Sequence, residues 1–421
     1  MMNGWKASAR RNVVITGLGV ISPIGTNIGE LSDSLASGRS GITPFSAPPL
    51  TKDFPAGRVQ QSFESHFTRL ELPYLDRCQQ MAVLAAKQAM TDAGIDTFEN
   101  FQQRAGLYFG SVKGGAETEQ GWYQQLLIEG KQASRPFSAM AIMQNGAAAQ
   151  ISIRNKILGP VMTHGSACSS SGNAIGEAMR AIRDGYLDIA VAGGSEAPLT
   201  GSVIGVFDGT RALAAPDAED VSRSCKPFSK DRAGLVLGEG AAFIILESEE
   251  HAKARGAKIY ARLSGYGTAS DGYHIGTPNA IGQAAAIRAG LADAGLEPGE
   301  IGYFNAHGTA TRGGDEVEAS AIRSVFGDGP DAIAVSSTKS VHGHLLGAAS
   351  ALEFIITVVA MKESLLPASM HLDDVDPKCT LNHIANKPVP DRPLEHALSF
   401  SCGFGGTNVA LVISKHREMP Q

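Results

Sequence analysis

Cys168 lies in a setting where a thiol can act as a nucleophile. It stands in the small, polar stretch Gly-Ser-Ala-Cys-Ser-Ser-Ser-Gly, residues 165–172, between a predicted strand and a predicted helix. A cysteine at a helix N-terminus has its thiolate stabilised by the helix dipole and by free backbone N–H groups. The thiolate is the form that attacks acyl groups. A small buried cysteine at a strand end has the same local pattern, so residues elsewhere must decide between the two interpretations.

Two histidines follow predicted strands in the second part of the chain. His307 lies in residues 305–318, and His344 lies in residues 337–347, which also contain Lys339. Ligands of parallel α/β sheets gather at the carboxyl ends of the strands. Because Cys168 and both histidines are predicted at such ends, we expect the three side chains to converge. Each histidine by itself fits a turn or cap residue equally well.

A glycine-containing loop lies between two apolar runs near the C-terminus. Residues 401–408 read Ser-Cys-Gly-Phe-Gly-Gly-Thr-Asn. Such a loop can bring backbone N–H groups close to a ligand, as an oxyanion hole requires, although a plain β-turn is the alternative. Residues 17–19 resemble part of a dinucleotide fingerprint but lack its third glycine, so we interpret them as a strand-to-loop turn.

The elements that must position these residues occur twice along the chain. Residues 13–19 and 261–267 are both strands that run into glycine turns, and each half then offers a strand, a polar turn and a helix, at 161–184 and 333–361. Strands that alternate with helices predict an α/β fold with mainly parallel sheets. The helix at 348–361 is apolar nearly all round, so it is expected to be buried between two sheets.

Composition and charge limit the function classes. The chain has 421 residues, 43% hydrophobic and 19% charged, with a net charge of −6, so nucleic-acid binding has no electrostatic support. No apolar run is long enough to span a membrane, and no targeting segment is visible. Five cysteines lie far apart without a CxxC pair, which predicts neither a metal site nor disulfides and fits a reducing, cytoplasmic setting.

Together, these segments resemble the β-ketoacyl-acyl-carrier-protein synthases of the elongating (synthase I/II) type, within the thiolase-like condensing enzyme superfamily. The resemblance runs nearly end to end and includes further matching stretches, at residues 192–196, 227–232, 238–240 and 271–274. It implies a five-layered αβαβα fold built from two duplicated halves. Residues 1–255 would form the half with the nucleophile, and residues 256–421 the half with the histidine pair. It also implies a homodimer.

The resemblance implies a reaction in two half-reactions. Cys168 takes an acyl chain from an acyl-carrier-protein thioester; a malonyl thioester then loses carbon dioxide, and its carbanion attacks the acyl-enzyme. No cofactor is needed, because phosphopantetheine arrives on the carrier protein. Neutral His307 and His344 can donate hydrogen bonds to the developing enolate. The backbone N–H groups of Cys168 and Cys402 would stabilise the tetrahedral oxyanion.

Other residues take supporting roles by the same resemblance. Lys339 matches the lysine of the family's motif, and we expect it to pair with Glu318 and orient the histidines. Asp315 lies in the same segment as Glu318, residues 305–318, and is also expected to support the site. Substrate-binding positions are Thr309 and Thr311 near the malonyl and pantetheine path, with His274, Lys113 and Phe404. The carrier protein is usually acidic, so three basic residues are docking candidates: Lys131, Arg135 and Arg211.

Three departures from the family pattern bear on specificity. Cys402 stands where a phenylalanine usually gates the acyl pocket, Lys113 stands where an apolar residue usually lines it, and Gly276 replaces a threonine. A buried lysine is costly unless it snorkels or finds a partner. These changes favour a specialised primer or polyketide-type product over a general fatty-acid elongase.

Two rival hypotheses remain. The chain can be a non-catalytic chain-length partner of a heterodimeric ketosynthase, although such subunits typically lose the nucleophile. It can also be a biosynthetic thiolase, which uses a second cysteine as a base, as Cys402 would be. A paralogous subunit in the dimer is also left open.

Overall fold

The protein is described here by a computed structural model that covers residues 10–329 and 332–417. The strands are β1 (Val13–Ile21), β2 (Ile42–Ser46), β3 (Asp53–Gly57), β4 (Ala105–Gly110), β5 (Val161–His164), β6 (Ile189–Glu196), β7 (Leu237–Gly238), β8 (Gly240–Ser248), β9 (Ala261–Ser270), β10 (Tyr303–Asn305), β11 (Ala334–Ser336), β12 (Asn382–His383), β13 (His396–Gly403) and β14 (Thr407–Ser414). The helices are α1 (Ile28–Ser37), α2 (Arg77–Asp92), α3 (Ala116–Leu127), α4 (Ser138–Ile142), α5 (Gly146–Asn155), α6 (Ser170–Arg183), α7 (Gly201–Gly209), α8 (Glu249–Ala254), α9 (Ala280–Ala294), α10 (Arg312–Phe326), α11 (Lys339–His342) and α12 (Ala349–Glu363).

The strand order shows that the two halves repeat one topology. Within the described residues, eleven strands form one continuous sheet in the order β12-β11-β10-β13-β14-β9-β1-β8-β6-β4-β5. The first half contributes β5-β4-β6-β8-β1, and the second contributes β11-β10-β13-β14-β9 in the corresponding order. The halves meet where β1 pairs antiparallel with β9, Val13 opposite Leu263. The duplication predicted from the sequence is therefore present in the fold.

The expectation of mainly parallel sheets was wrong, because each half is mixed. Strands β4, β5 and β6 run parallel, as do β10, β11 and β13, whereas β8 and β14 run antiparallel to their neighbours. In the second half the cause is local: β13 and β14 are joined by the tight turn at residues 404–406, and a hairpin must be antiparallel.

The helices form three layers around the sheet halves. Helices α6 and α12 lie in the middle and contact strands of both halves, α2 and α5 cover the first half, and α9 and α10 cover the second. Every residue of α12 from Ala349 to Met361 is buried, as its apolar sequence predicted. This is the five-layered, thiolase-like αβαβα arrangement, which confirms the predicted fold class.

The two central helices matter for function because each begins next to a candidate catalytic residue. Cys168 lies just before α6, and His344 lies between α11 and α12. In the described part of the chain, none of the helices is long and apolar enough to cross a membrane.

Candidate active site

The Cys168 turn joins the end of β5 to the start of α6. Ala167 has φ 51°, in the left-handed region, which non-glycine residues rarely occupy. Serine hydroxyls hold this turn: Ser170 Oγ donates to Ala167 O at 2.6 Å, and Ser169 Oγ donates to Ser166 O at 2.7 Å. The Ser-rich sequence after Cys168 therefore stabilises a strained turn as well as opening a helix.

Cys168 is buried, with 7% of its surface exposed, and it packs in a cluster with apolar residues that include Phe54, Leu199 and Leu346. Burial raises the pKa of the Cys168 thiol to about 12, although the charge of Lys339 lowers that pKa. Burial therefore opposes the thiolate that the helix N-terminus was expected to stabilise. Cys168 lies one residue before Ser169, the N-cap of α6.

His307 follows β10 and is held by the carboxylate of Glu318 on α10. The backbone N–H groups of His307 and Gly308 donate to Glu318 Oε1 and Oε2, each at 2.7 Å. On the same helix Asp315 Oδ2 accepts from the backbone N–H of Phe228 at 2.7 Å. Burial raises the pKa of Glu318 to about 8 and that of Asp315 to about 6. Glu318 therefore holds the backbone of the His307 loop, and Asp315 holds the backbone of Phe228.

His344 faces His307 across the site. Two hydrogen bonds fix the backbone of His344 against β7. The His344 N–H donates at 2.7 Å to the carbonyl oxygen of Val236, the residue before β7, and the Gly238 N–H donates to His344 O at 2.9 Å. The two imidazole rings stand nearly perpendicular, with centroids 5.2 Å apart. Cys168 Sγ and one ring nitrogen of each histidine all lie within 4.8 Å of one another. The structure therefore brings together the three residues whose convergence we expected.

Both histidines are neutral. Burial lowers the pKa of His307 and of His344 well below the usual value, and the nearby positive charge of Lys339 lowers it further. A neutral imidazole offers one N–H donor and one acceptor nitrogen. Two such rings directed at the thiol suit a site where negative charge develops on a substrate oxygen.

The predicted pairing of Lys339 with Glu318 was wrong. Lys339 Nζ forms an ion pair with Glu353, donates to His307 O at 2.6 Å and lies 3.3 Å from His307 Nδ1. Glu318 is occupied by the backbone of the His307 loop instead. Lys339 still contacts His307, as expected of a residue that orients the histidine.

Glu353 is a site residue that the sequence interpretation missed. It lies on α12, is fully buried, and pairs with the equally buried Lys339. The sequence does contain a sign of this residue's role, because Glu353 is the one acidic residue within the apolar run at residues 349–361. A buried carboxylate in such a helix requires a cationic or hydrogen-bonding partner.

The structure shows which part of the glycine-containing loop approaches Cys168, whereas the oxyanion hole of Cys168 and Cys402 N–H groups stays a prediction. The backbone N–H of Phe404 is the one directed at the Cys168 thiol. Cys402 lies within β13 opposite Asn408, and its side chain packs against the core of the second half. The loop approaches Cys168 closely: a Cβ on Gly403 would lie 3.2 Å from the backbone nitrogen of Cys168. The tight turn after Gly403, not the strand before it, thus presents the N–H group.

The predicted substrate-binding residues make the following contacts, and their role stays a prediction. Thr309 and Thr311 follow His307 and share a hydrogen bond of 3.0 Å between their hydroxyls. The Phe404 ring is half exposed and stacks on Phe207 at 6.4 Å. His274 is exposed, and its Nδ1 accepts two N–H groups of its own loop.

Lys113 lies on the edge of the site, and its charge is compensated. Its Nζ contacts Glu119 Oε2 at 2.6 Å, and its side chain is 40% exposed. The partner that the sequence required is therefore an acidic residue of α3. The neighbouring Val112 packs against the apolar cluster of Cys168.

The Cys168–His307–His344 centre does not suit a metal ion. The thiol and the two histidine nitrogens are close enough to share one ion. The Lys339 ammonium beside His307 opposes a second positive charge in a buried site. The residues fit acyl transfer better than metal binding.

A buried thiol beside two neutral histidines and a backbone N–H group, on a thiolase-like fold, is typical of a condensing acyltransferase. Comparison with known proteins agrees. Residues 10–252 match the family described as "Beta-ketoacyl synthase, N-terminal domain", and residues 260–373 match "Beta-ketoacyl synthase, C-terminal domain". The chain therefore belongs to the β-ketoacyl synthase family.

Individual relatives cover nearly the whole chain. The 3-oxoacyl-[acyl-carrier-protein] synthase 2 of Staphylococcus aureus (strain COL) is 38% identical over 97% of this chain and 99% of its own length. Nodulation protein E of Rhizobium meliloti (strain 1021) is 40% identical over 96% and 99%. Among solved structures, the ishigamide ketosynthase/chain length factor has a TM-score of 0.90 at 34% identity, over 97% of this chain and 100% of that chain.

Proposed function

We propose that this protein condenses an acyl group held on Cys168 with malonyl-acyl-carrier protein, giving β-ketoacyl-acyl-carrier protein and carbon dioxide. The observation that carries the proposal is the approach of Cys168 Sγ to the two neutral histidines within 4.8 Å. This arrangement supports an active synthase over a non-catalytic partner subunit. The relation to 3-oxoacyl-acyl-carrier-protein synthases supports the substrate class.

The first half-reaction transfers the acyl chain to the enzyme. Cys168 Sγ attacks the carbonyl carbon of the acyl thioester, and the backbone N–H of Phe404 stabilises the oxyanion. Collapse of the intermediate breaks the bond to the carrier thiol, which leaves with the proton that Cys168 has lost. The apolar cluster around Cys168 suits a hydrocarbon chain.

The second half-reaction forms the carbon–carbon bond. His307 and His344 donate hydrogen bonds to the malonyl thioester oxygen, so that loss of carbon dioxide leaves a stabilised enolate. The enolate carbon attacks the acyl carbonyl on Cys168, the carbon–sulfur bond to Cys168 breaks, and the Cys168 thiolate that leaves takes a proton from water. Lys339 holds His307 in place through its contacts with the His307 carbonyl oxygen and Nδ1.

A thiolase mechanism is less well supported. Cys402 would have to act as a base near the substrate. Its side chain packs against the core of the second half, and burial raises the pKa of its thiol well above the usual value. The histidine pair also suits decarboxylation better than deprotonation of a carbon acid.

The carrier protein is proposed to dock near Arg211. This exposed arginine follows α7, whose Phe207 stacks on Phe404 at the edge of the site. Lys131 is a weaker candidate because Glu129 pairs with it at 2.9 Å. Arg135 is exposed and lines a cavity of about 330 Å³ between α2, α3 and α4. One structural relative is a ketosynthase solved in complex with its acyl-carrier protein.

A second thiolase-like subunit is proposed to cover the free edge of β5. This strand has β4 as its sheet neighbour, and its residues Val161 and Met162 are 39% and 48% exposed. Exposed apolar side chains on an open edge predict pairing with another chain. A second copy is the simplest partner; a paralogous chain-length subunit, as in two structural relatives, is the alternative.

The cytoplasmic setting stays a prediction.

The test is intact-protein mass spectrometry of wild type, Cys168→Ala and Cys402→Ala after incubation with a panel of acyl-carrier-protein thioesters. We expect a mass gain of one acyl group on wild type and Cys402→Ala, and none on Cys168→Ala. Malonyl-carrier protein added next should release the chain as a β-ketoacyl product. A folded wild type that loads no chain would refute the proposal, and loading that needs Cys402 would favour a thiolase.

A further inference from the structure

A chain of polar side chains runs from the second half of the molecule to the Cys168 turn. The Tyr266 hydroxyl, on β9, donates to Asn173 Oδ1 at 2.7 Å. Asn173, on α6, donates through Nδ2 to Ser166 Oγ at 2.7 Å. Ser166 stands two positions before the nucleophile. The network therefore connects the half that carries the histidines to the turn that carries the thiol.

We propose that Tyr266 is a positioning residue for Cys168, acting through Asn173 and Ser166. The assignment of Cys168 as the nucleophile rests on the proposed function, whereas the hydrogen-bond chain does not. Tyr266 touches no reacting atom, so its contribution is to the placement of the sulfur.

The Tyr266 ring is held firmly enough to act as an anchor. It is 2% exposed, and a Cβ on Gly176 would lie only 2.4 Å from its edge, so the glycine permits the close approach. The Arg180 guanidinium lies 4.5 Å from the ring centroid, a cation–π contact. The backbone N–H of Tyr266 donates to Asp293 Oδ2 at 3.0 Å. The hydroxyl thus projects from a fixed ring.

The Asn173 amide is held from both ends. The Tyr266 hydroxyl donates to its oxygen, and its nitrogen donates to Ser166 Oγ. Thr268 Oγ1 approaches the same oxygen at 3.5 Å, too far to replace the tyrosine. Glu177 also lies beside the phenol. Without the phenol, the amide can turn over and present its oxygen to Ser166.

The Cys168 turn needs such support because it is strained and closely packed. Ala167 is held in the left-handed region, which is unfavourable for a non-glycine residue unless its surroundings fix it. The β13–β14 hairpin packs directly on the turn, since a Cβ on Gly403 would lie 2.8 Å from Ser166 O. A shift of Ser166 therefore moves Cys168 relative to the Phe404 N–H and the two histidines.

The experiment compares Tyr266→Phe with wild type in two assays of Cys168. The substitution removes one hydroxyl and keeps the ring that fills the space beside Gly176. We expect acylation of Cys168 at saturating acyl-carrier protein to slow about tenfold, with KM within about twofold of wild type. Alkylation of Cys168 by iodoacetamide measures the thiol without any carrier protein. If wild type is alkylated but never acylated, the proposed function fails while the alkylation ratio still tests Tyr266.

A matched control separates placement from stability. Tyr260→Phe also removes a phenol hydrogen bond of 2.7 Å, to Asp92 Oδ2 on the outer helix α2. It should lower the melting temperature as much as Tyr266→Phe does, yet leave Cys168 acylation at the wild-type rate. Equal loss of acylation in both variants would show a general effect of stability and overturn the proposal.

A double-mutant cycle tests the path through Asn173 and Ser166. Ser166→Ala should slow acylation as Tyr266→Phe does, and the double variant should be no slower than either single one, because both break the same chain. Asn173→Leu serves if Tyr266→Phe does not fold. Acylation within twofold of wild type in the folded variants, or fully additive losses, would refute the positioning role.

Discussion

At the residue scale, burial acts in opposite directions on the pKa values of the thiol and the imidazoles, with the same result. It raises the pKa of Cys168 and lowers the pKa of His307 and His344, so all three groups are neutral at pH 7. Because Cys168 is a neutral thiol, its proton must leave the sulfur as the sulfur attacks. A neighbouring neutral imidazole is the proton acceptor within reach. Neutral rings are also the form that can stabilise the malonyl enolate.

The pH dependence of Cys168 alkylation follows from its raised pKa. Below the pKa of a thiol, the thiolate fraction rises tenfold for each pH unit. With a pKa of about 12, the alkylation rate of Cys168 by iodoacetamide should keep rising about tenfold per unit from pH 7 to 9.5. Mass spectrometry of wild type, with Cys168→Ala as the blank, measures this rate. A plateau near pH 8 would instead show that the helix terminus and Lys339 stabilise the thiolate.

The buried pair of Lys339 and Glu353 shows that the partner of a buried lysine is the acid that shares its buried corner and has a free oxygen. Both oxygens of Glu318 are used by backbone N–H groups of the His307 loop. Lys339 lies at the start of α11 and reaches Glu353 on α12, within the same buried corner. The charge of one residue compensates for the desolvation of the other.

At the element scale, the β13–β14 hairpin is the part that assembles the site. Its tight turn gives Phe404 a backbone N–H directed at the thiol, and its Gly403 allows the strand to approach the Cys168 turn. The two central helices bring the remaining groups, because α6 begins beside Cys168 and α12 begins beside His344. Three elements from distant parts of the chain thus meet at one point.

Replacing Gly403 with alanine should separate the hairpin from the Cys168 turn. The new Cβ would lie 2.8 Å from Ser166 O and 3.1 Å from Ala167 Cβ, which forces the backbone to shift. We expect a loss of about 1–3 kcal/mol in the free energy of unfolding and at least about tenfold slower acylation of Cys168. Denaturant unfolding and intact-protein mass spectrometry measure the two effects.

Gly313→Ala is the matched control for Gly403→Ala. Gly313 lies on α10, and a Cβ there would meet no atom within 4 Å. This variant should acylate Cys168 at the wild-type rate and be slightly more stable, since alanine favours a helix. Normal acylation in Gly403→Ala would contradict the idea that the hairpin sets the oxyanion hole.

At the scale of the whole molecule, the two halves divide the work. The first half supplies the proposed nucleophile and most of the apolar cluster around it, and the second supplies Leu346 of that cluster, the histidines, Lys339 and the hairpin. The duplicated topology places equivalent turns next to each other: the Cys168 turn follows β5, and the Lys339–His344 segment follows its counterpart β11. Neither half contains a complete site.

The open β5 edge predicts a dimer that a charge should disrupt. Met162→Lys places an ammonium on an edge strand that we propose is covered by a second subunit, and an unpaired charge buried at an interface is costly. Sedimentation should show a dimer for wild type and a monomer for the variant. Ile281→Lys, at an exposed apolar position of the outer helix α9, should remain dimeric. A monomeric wild type would rule out a homodimer and favour a paralogous partner.

Local sequence patterns were enough to select each proposed catalytic residue along the chain. The strand–turn–helix settings of Cys168, His307 and His344 arise from residues within about ten positions, so the sequence predicts them directly. The apolar α12 and the repeat of the elements predicted the layered fold for the same reason. The mixed direction of the sheets was not predicted, because it depends on which strands pair across the chain.

Only the tertiary structure decided the contacts between these segments. It paired Lys339 with Glu353 rather than Glu318, directed the Phe404 N–H at the thiol rather than that of Cys402, and joined Tyr266 to Asn173 over 93 positions. Such contacts depend on which face of an element a side chain occupies and on how closely two elements pack. Glycines and register shifts set both quantities, and neither can be read from one segment alone.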